Sequence, residues 1–343
     1  MLKQKGAGRA NVLVAGGAGF VGSNLCEFLL ERYNVICVDN FFSSTEQNID
    51  TLLSNPHFEF IRHDITQPLD FKNFSTLERF NVAFTGIQHI YHLACPSSPR
   101  AFLKSPLEVM MASSVGVKNM LDVALSYRAR FVYLSDSLVY GVLNEERPSE
   151  TSWGVVEQAD PLRTYIESKR YAEVLVETYQ RLYNLETFIV RLSTAYGPNM
   201  HMEDGRLIPE MIAHALQNQV LTIPKDIGAG SYLYVSDAVD ALEKIMLSEN
   251  AGGIFNLGHG AGYSLSEVAE KITALTNSHE KFVLGESPPS ETDPLQQAWR
   301  RQSGLTNIEK IKLELGWFPV VLLDEGLEKT IDYMKSLRKV RTH

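Results

Sequence analysis

The stretch VLVAGGAGFVGSNLCEFLL, from Val12 to Leu30, decides the fold. It opens with a short, wholly apolar run, which reads as a buried strand over 11–15. A cluster of small residues follows, and then Leu25, Phe28 and Leu29 recur at helical spacing, which predicts a helix over 20–32. The glycines between strand and helix satisfy two spacings at once. Gly17, Gly19 and Gly22 fit GxGxxG, and Gly16, Gly19 and Gly22 fit GxxGxxG. Glycines in that context permit a tight turn, let backbone approach a pyrophosphate, and allow a helix to pack closely on a strand. The free N–H groups of the helix start then face the anion. Phe20 and Val21, in the same turn, belong to the expected contact surface.

Asp39 strengthens the reading. It ends a second apolar strand, 34–38, about 20 residues after the loop, where an acid hydrogen-bonds the adenosine ribose hydroxyls. A carboxylate there repels a 2′-phosphate, so the expected cofactor is NAD rather than NADP. Asn40 follows directly. Asp64 and Ile65 come after a third strand, 58–62, and Asp64 is placed either against the adenine amine or as a loop cap.

Outward from this start, strands are expected at 87–93, 130–135 and 187–191, alternating with helices over 107–127 and 164–183. Such alternation implies a parallel sheet covered on both faces by right-handed crossovers. Leu93 and Ala94, at the end of the fourth strand, should join the cofactor site. After residue 192 the rhythm changes, with helices at 207–217, 236–248, 264–276 and 324–337 and a proline-bearing loop at 285–294. The expected organisation is a doubly wound Rossmann-type α/β domain over 1–192, to which some later segments return, and a smaller C-terminal α/β lobe over 193–343 for the substrate.

Composition agrees with a soluble globular chain. Of 343 residues, 44% are hydrophobic and 21% charged, and the formal net charge of −9 argues against nucleic acid as a partner. No apolar run reaches the ~20 residues that span a bilayer, and the N-terminus lacks the apolar core of a signal peptide. Cys26, Cys37 and Cys95 show no paired spacing, which suggests reduced thiols in a cytoplasmic protein.

Tyr165 and Lys169 form YxxxK one turn apart on a helix face. An ammonium beside a phenol lowers its pKa from about 10, and a phenolate beside a nicotinamide can take a hydroxyl proton while hydride leaves the carbon. Ser135, Asp136 and Ser137 are the candidates for a third member of this site.

Together these motifs resemble the extended short-chain dehydrogenase/reductase family, the NAD-dependent sugar epimerases and dehydratases. The resemblance spans nearly the whole chain: GGAGFVG, VDN at Val38 to Asn40, HDI at His63 to Ile65, YHLA at Tyr91 to Ala94, VYG at Val139 to Gly141, YIESK, YGP at Tyr196 to Pro198, YVSD at Tyr234 to Asp237, NLG at Asn256 to Gly258 and LGW at Leu315 to Trp317. Within the family the chain looks most like the UDP-glucuronate decarboxylases, through VDNFF, the PSSP at Pro96 to Pro99 and MHMEDGR at Met200 to Arg206. The resemblance implies oxidation of a UDP-linked sugar at C4, loss of the C5 carboxylate as carbon dioxide, and return of the hydride. It implies a substrate site from Pro96, Ser97, Ser98, Thr194, Arg206 and Tyr232. It also implies a homodimer paired through helices such as 107–127 and 164–183.

The departures fall on the chemistry. Asp136 stands where the family carries serine or threonine, and an ionised carboxylate cannot donate a hydrogen bond and raises the pKa of a nearby phenol. Leu138 stands in place of a glutamate, Gly230 and Asn199 in place of arginines, and Thr194 in place of an asparagine. Two other readings therefore accompany the decarboxylase: a C4 epimerase or 4-ketoreductase, and a catalytically silent NAD- or nucleotide-sugar-binding subunit. His89 and His92 read as strand-end core residues rather than metal ligands, since no third ligand has suitable spacing. Trp299, Arg300 and Arg301 read either as a base-stacking and phosphate-pairing cluster or as a surface patch.

Overall fold

The computed structural model describes residues 8–224, 227–250, 252–279, 282–285, 294–302 and 304–341. Seven strands form one sheet: β1 (Asn11–Ala15), β2 (Asn34–Asp39), β3 (Phe58–Arg62), β4 (His89–His92), β5 (Arg130–Asp136), β6 (Thr187–Leu192) and β7 (Gly252–Leu257). Their order is β7-β6-β5-β4-β1-β2-β3, and every pairing is parallel. The sheet reverses direction of growth between β1 and β4, which opens a crevice beyond the carboxyl ends of those two strands.

Strand periodicity explains why both faces are dry. Val12, Val14, Val35, Cys37, Val132, Phe188 and Val190 enter one core, and Leu13, Ala15, Ile36, Val38, Phe131, Tyr133 and Ile189 enter the other. The first core is closed by the Phe20–Leu29 and Val235–Met246 helices and Trp317, and the second by the Val117–Tyr127 and Arg163–Tyr183 helices. Thus β7 and the Val235–Met246 helix come back from the second half of the chain. A third core, including Tyr196, Met211, Ile212, Val268, Leu327 and Met334, builds the C-terminal lobe.

Several boundaries differ from expectation by a few residues. The first helix ends at Leu29, where the Leu30 N–H is shared between the carbonyls of Cys26 and Glu27 and the chain turns. The fourth strand is confined to His89–His92. The helix expected over 107–127 runs as Pro106–Met111, a π turn at Ala112–Gly116, and Val117–Tyr127. A Cβ on Gly116 would lie 2.5 Å from Ile65 Cδ1, and Asn119 donates to the Ile65 carbonyl at 2.9 Å. The widened turn therefore packs against the loop that carries Asp64 and Ile65, as π turns often do near functional sites. The expected loop at 285–294 lies outside the described residues apart from its ends.

One buried ion pair ties the sheet to its cover. Arg191 on β6 grips Glu173 of the Arg163–Tyr183 helix, with Nη2 to Oε2 at 2.7 Å and both side chains under 5% exposed. Arg191 also donates to the Glu150 carbonyl, and Ser135 donates to Glu173 Oε1. Removing one member leaves a charge buried without its partner, which costs about 3–5 kcal/mol. Arg191→Met should lower the unfolding free energy by about that amount in urea titrations; a loss below about 1 kcal/mol, typical of exposed pairs, would show the pair to be idle.

Candidate active site

The glycine turn sits where β1 and β4 part. Gly16 has φ +80°, and a Cβ there would lie 2.6 Å from the Ala94 backbone nitrogen, so only glycine lets the loops after β1 and β4 meet. A Cβ on Gly22 would fall 2.1 Å from the Gly16 carbonyl oxygen, which is how closely the helix packs on the turn. Gly16, Gly19 and Gly22 line the cleft, so the GxxGxxG register is the one the loop uses. Gly17, expected at the cofactor, is not on the cleft wall: the Cβ direction points at Cys37 Sγ, 2.6 Å away, beneath the loop.

The cleft has a volume of about 920 Å³, and Phe20, Val21, Asp39, Asn40, Asp64, Ile65, Leu93 and Ala94 all line it. Asp39 has two tasks. Its Oδ1 accepts from the Phe41 N–H at 2.9 Å and the Ser44 hydroxyl at 2.8 Å, and its Oδ2 accepts from the Ala18 N–H at 3.1 Å. The carboxylate is thereby locked at the cleft wall with lone-pair capacity left for ribose hydroxyls. Asp64 makes an Asx turn, accepting from Thr66 N and Oγ1 through Oδ1, while still facing the cleft. The helix start is capped by no side chain, leaving its N–H groups for a diphosphate. A flush glycine turn, a bare helix start and a fixed ribose-height carboxylate fit NAD.

A smaller cavity of about 80 Å³ adjoins this cleft. The two share Phe20, Val21, Leu93, Ser97, Leu134 and Arg206. Asp136, Ser137, Tyr165, Lys169 and Thr194 line the small cavity. The Tyr165 hydroxyl donates to Asp136 Oδ2 at 3.0 Å, and the other carboxylate oxygen accepts from the Leu138 N–H at 2.8 Å. The Tyr165 ring stacks on Phe102 at 4.5 Å between centroids and is buried with Leu138, Leu162 and Ile166.

The expected lowering of the Tyr165 pKa by Lys169 does not hold in this arrangement. Lys169 donates to the Leu134 carbonyl at 2.9 Å, with Nζ 5.9 Å from the centre of the Tyr165 ring. Burial, and then the Asp136 carboxylate, push the phenol well above its ordinary value. Burial also pushes the Asp136 carboxyl up, opposed by the Leu138 N–H, the Lys169 charge, the Tyr165 hydroxyl and Arg206.

Other expected site residues divide. Pro96, Ser97, Ser98, Thr194 and Arg206 line the cavities. Arg206 stands at their junction, pairing with Asp204, donating to Ser97 Oγ at 3.1 Å and lying over the Phe20 ring. Ser135 reaches the small cavity, but its hydroxyl is committed to Glu173 at 2.5 Å and is not available to Tyr165. Tyr232 is 2% exposed in the C-terminal core and lines neither cavity; its phenol occupies the volume beside Gly230, where a Cβ would meet the hydroxyl oxygen at 2.6 Å. Trp299 is buried, with Nε1 donating to the Gly205 carbonyl at 2.7 Å, so it braces the 200–206 segment instead of stacking on a base. The Arg301 side chain lies outside the described residues. His92 is fully buried between Phe131 and Tyr133, and burial holds its pKa at about 3; His89 is held at about 4. Among the described residues no group of three or more His, Cys, Asp or Glu is placed to hold a metal.

Sequence reasoning missed Phe102, Leu134, Ser44, and the contribution of Tyr333 and Leu337 to the cleft wall. Ser44 carried a faint signal, since it follows Asp39 in a turn. The others reach the site only through tertiary packing.

Residues 12–258 match the model of the NAD dependent epimerase/dehydratase family. The chain belongs to that family. Family members with curated names are similar over most of its length: UDP-glucuronic acid decarboxylase 2 of Arabidopsis thaliana is 38% identical over 95% of this chain and 68% of that one. UDP-glucuronic acid decarboxylase 1 of Danio rerio is 35% identical over 95% of this chain and 72% of that one. Among solved members of the fold, the UDP-glucuronic acid 4-epimerase of Bacillus cereus, solved with UDP-glucuronic acid and NAD, superposes with a TM-score of 0.80 at 25% identity, covering 95% of this chain and 99% of that one. The UDP-glucose 4-epimerase of Thermotoga maritima shares the fold, with a TM-score of 0.80 at 24% identity over 96% and 99% of the two chains. The expected family, the Rossmann-type sheet and the NAD dependence are thus borne out.

A carboxyl raised by burial binds its proton more tightly in the folded chain than in the unfolded one, where Asp titrates near about 3.9. Stability contributed by this group is therefore lost as pH rises through its folded pKa. Asp136→Asn should unfold at higher denaturant concentration than the wild type at pH 7, with the gain shrinking as pH falls toward about 4. A variant less stable at pH 7 than at pH 4, relative to wild type, would contradict the burial cost.

Proposed function

We propose that this protein modifies a UDP-linked sugar by reversible oxidation at C4, with UDP-glucuronate decarboxylation as the leading reaction. The observation that carries the reading is the pair of adjoining cavities, one lined by the dinucleotide turn and the other by Tyr165, which share Phe20, Val21, Leu93, Ser97, Leu134 and Arg206. Residues 1–192 form the cofactor lobe in this reading and 193–343 mainly the substrate lobe. NAD, when bound, supplies the hydride acceptor. Tyr165 exchanges the hydroxyl proton, Lys169 holds the end of β5 through Leu134, and Thr194, Pro96, Ser97 and Ser98 shape the sugar pocket. Arg206, at the junction of the cavities, provides charge for the diphosphate. Oxidation at C4 places a ketone β to the C5 carboxylate, and carbon dioxide can then leave.

Leu138 favours a second reading. It is buried against Phe102 and Leu162 where the resemblance implies glutamate, so among the described residues the carboxyl group hydrogen-bonded to Tyr165 is that of Asp136. C4 epimerisation or 4-keto reduction needs only hydride and proton exchange. Incubation with UDP-glucuronate and NAD should release carbon dioxide and yield a UDP-pentose by mass spectrometry. An epimer of unchanged mass would favour the second reading. Absence of turnover across UDP-, dTDP-, GDP- and CDP-sugars would overturn both and leave a silent binding subunit.

The homodimer expected from the resemblance is supported by an apolar surface. Leu107 and Met110 project from one helix and Tyr171, Val174 and Leu182 from the adjoining Arg163–Tyr183 helix, all at least 49% exposed. A cytoplasmic location fits the three free thiols, and among the described residues no helix is long and apolar enough to cross a membrane. Light scattering should give a dimer for the wild type and a monomer for Val174→Glu; a monomeric wild type would overturn the interface.

A further inference from the structure

Asp136 occupies the end of β5 with both carboxylate oxygens placed. Oδ1 accepts from the Leu138 N–H at 2.8 Å, and Oδ2 accepts from the Tyr165 hydroxyl at 3.0 Å. Phe102 and Leu138 wall the phenol, and the Lys169 ammonium is engaged with the Leu134 carbonyl. A phenolate and a carboxylate at this separation with no proton between them cannot both persist. One proton must be held by the pair. The carboxyl is the stronger acid by about 6 pKa units in water, so at rest the phenol keeps the proton and Asp136 carries the charge.

We propose that Tyr165 and Asp136 form a proton relay in which Asp136, rather than a Tyr165 phenolate, is the final acceptor of the substrate's hydroxyl proton. The proposal rests on the C4-oxidation reading above. The substrate O–H bond breaks and its proton goes to Tyr165 Oη. The Tyr165 O–H bond breaks and that proton goes to Asp136 Oδ2. The C4–H bond breaks with its electron pair, which passes as hydride to NAD+, and the sugar carbon becomes a ketone. Returning the hydride runs the same transfers backwards from the Asp136 carboxylic acid. The tyrosine remains neutral throughout.

The surroundings bear on the charge of the acceptor. Lys169 and Arg206 face Asp136 as cations and favour its ionised form, and Tyr133, on the same strand, lies close enough to feel its charge. Cys95, from the segment after β4, acts on Tyr165. Burial works against the cations and lifts the carboxyl toward the range where it can both take and return a proton.

Turnover of whichever UDP-sugar is a substrate should fall on the acid side as Asp136 protonates. Asp136→Asn should abolish that limb and lower kcat about 10²–10⁴-fold, as loss of a general base does. Asp136→Thr should move activity to alkaline pH, where the phenol ionises unaided. Wild-type kcat and an unchanged profile in Asp136→Asn would overturn the relay. A readout free of turnover accompanies these. In pH-difference infrared spectra of the full chain, a protonated-carboxyl stretch missing from Asp136→Asn should titrate at higher pH in Tyr165→Phe, which removes the hydroxyl that favours the carboxylate. An unmoved midpoint overturns the relay even if sugars are turned over. A moved midpoint with no turnover of any sugar supports the relay and places the failure with the functional reading.

Discussion

The contact between the first glycine turn and the end of β4 is the constraint on which the site depends. Gly16 lies so close to Ala94 that no side chain can stand between them. The loop after β1 and the loop after β4 therefore share one wall, and the helix that follows the turn points its bare N–H groups along it. Asp39 holds the far side of the same turn through the Ala18 N–H. Moving any of these backbones changes the distance between the cofactor turn and the strand end that carries Asp136, because all are spokes of one parallel sheet.

A second constraint, electrostatic, is set against this scaffold. The sheet buries Arg191 with Glu173, and Ser135 joins them, one residue before Asp136. The partners of Ser135 and Asp136 both belong to the Arg163–Tyr183 helix, with Glu173 about two turns beyond Tyr165. Ser135 hydrogen-bonds Glu173 along the helix, and Asp136, at the end of the strand, meets Tyr165 in its first turn. The hydroxyl that sequence order offers as a neighbour is thus withheld by Glu173, and the carboxylate is the group delivered to the phenol.

The apolar lining of the tyrosine has a complementary effect. Leu138, Phe102, Leu162 and Ile166 exclude water from one side of Tyr165. Asp136 and Leu138 thus act on the same phenol: one accepts its hydrogen bond and the other packs apolar surface beside it. The buried Trp299 and Tyr232 belong to the support of the C-terminal lobe, bracing the Gly205 carbonyl and filling the space beside Gly230.

Local patterns in the chain were enough to determine the alternating strands and helices, the glycine turn, the acid at Asp39 and the Tyr165–Lys169 turn, because each depends on residues within one strand–turn–helix unit. They could not decide between the two glycine registers, since Gly17 is turned inward by Cys37, a residue of the next strand. Nor could they show that Lys169 serves a backbone carbonyl, that Ser135 serves Glu173, or that Trp299 and Tyr232 are buried. Those hydrogen bonds depend on partners from 35 to 94 residues away in the chain, as with Lys169 and Leu134 or Trp299 and Gly205. Side-chain direction and desolvation exist only once the sheet has closed, so the charge state of the tyrosine was a matter for the tertiary structure alone.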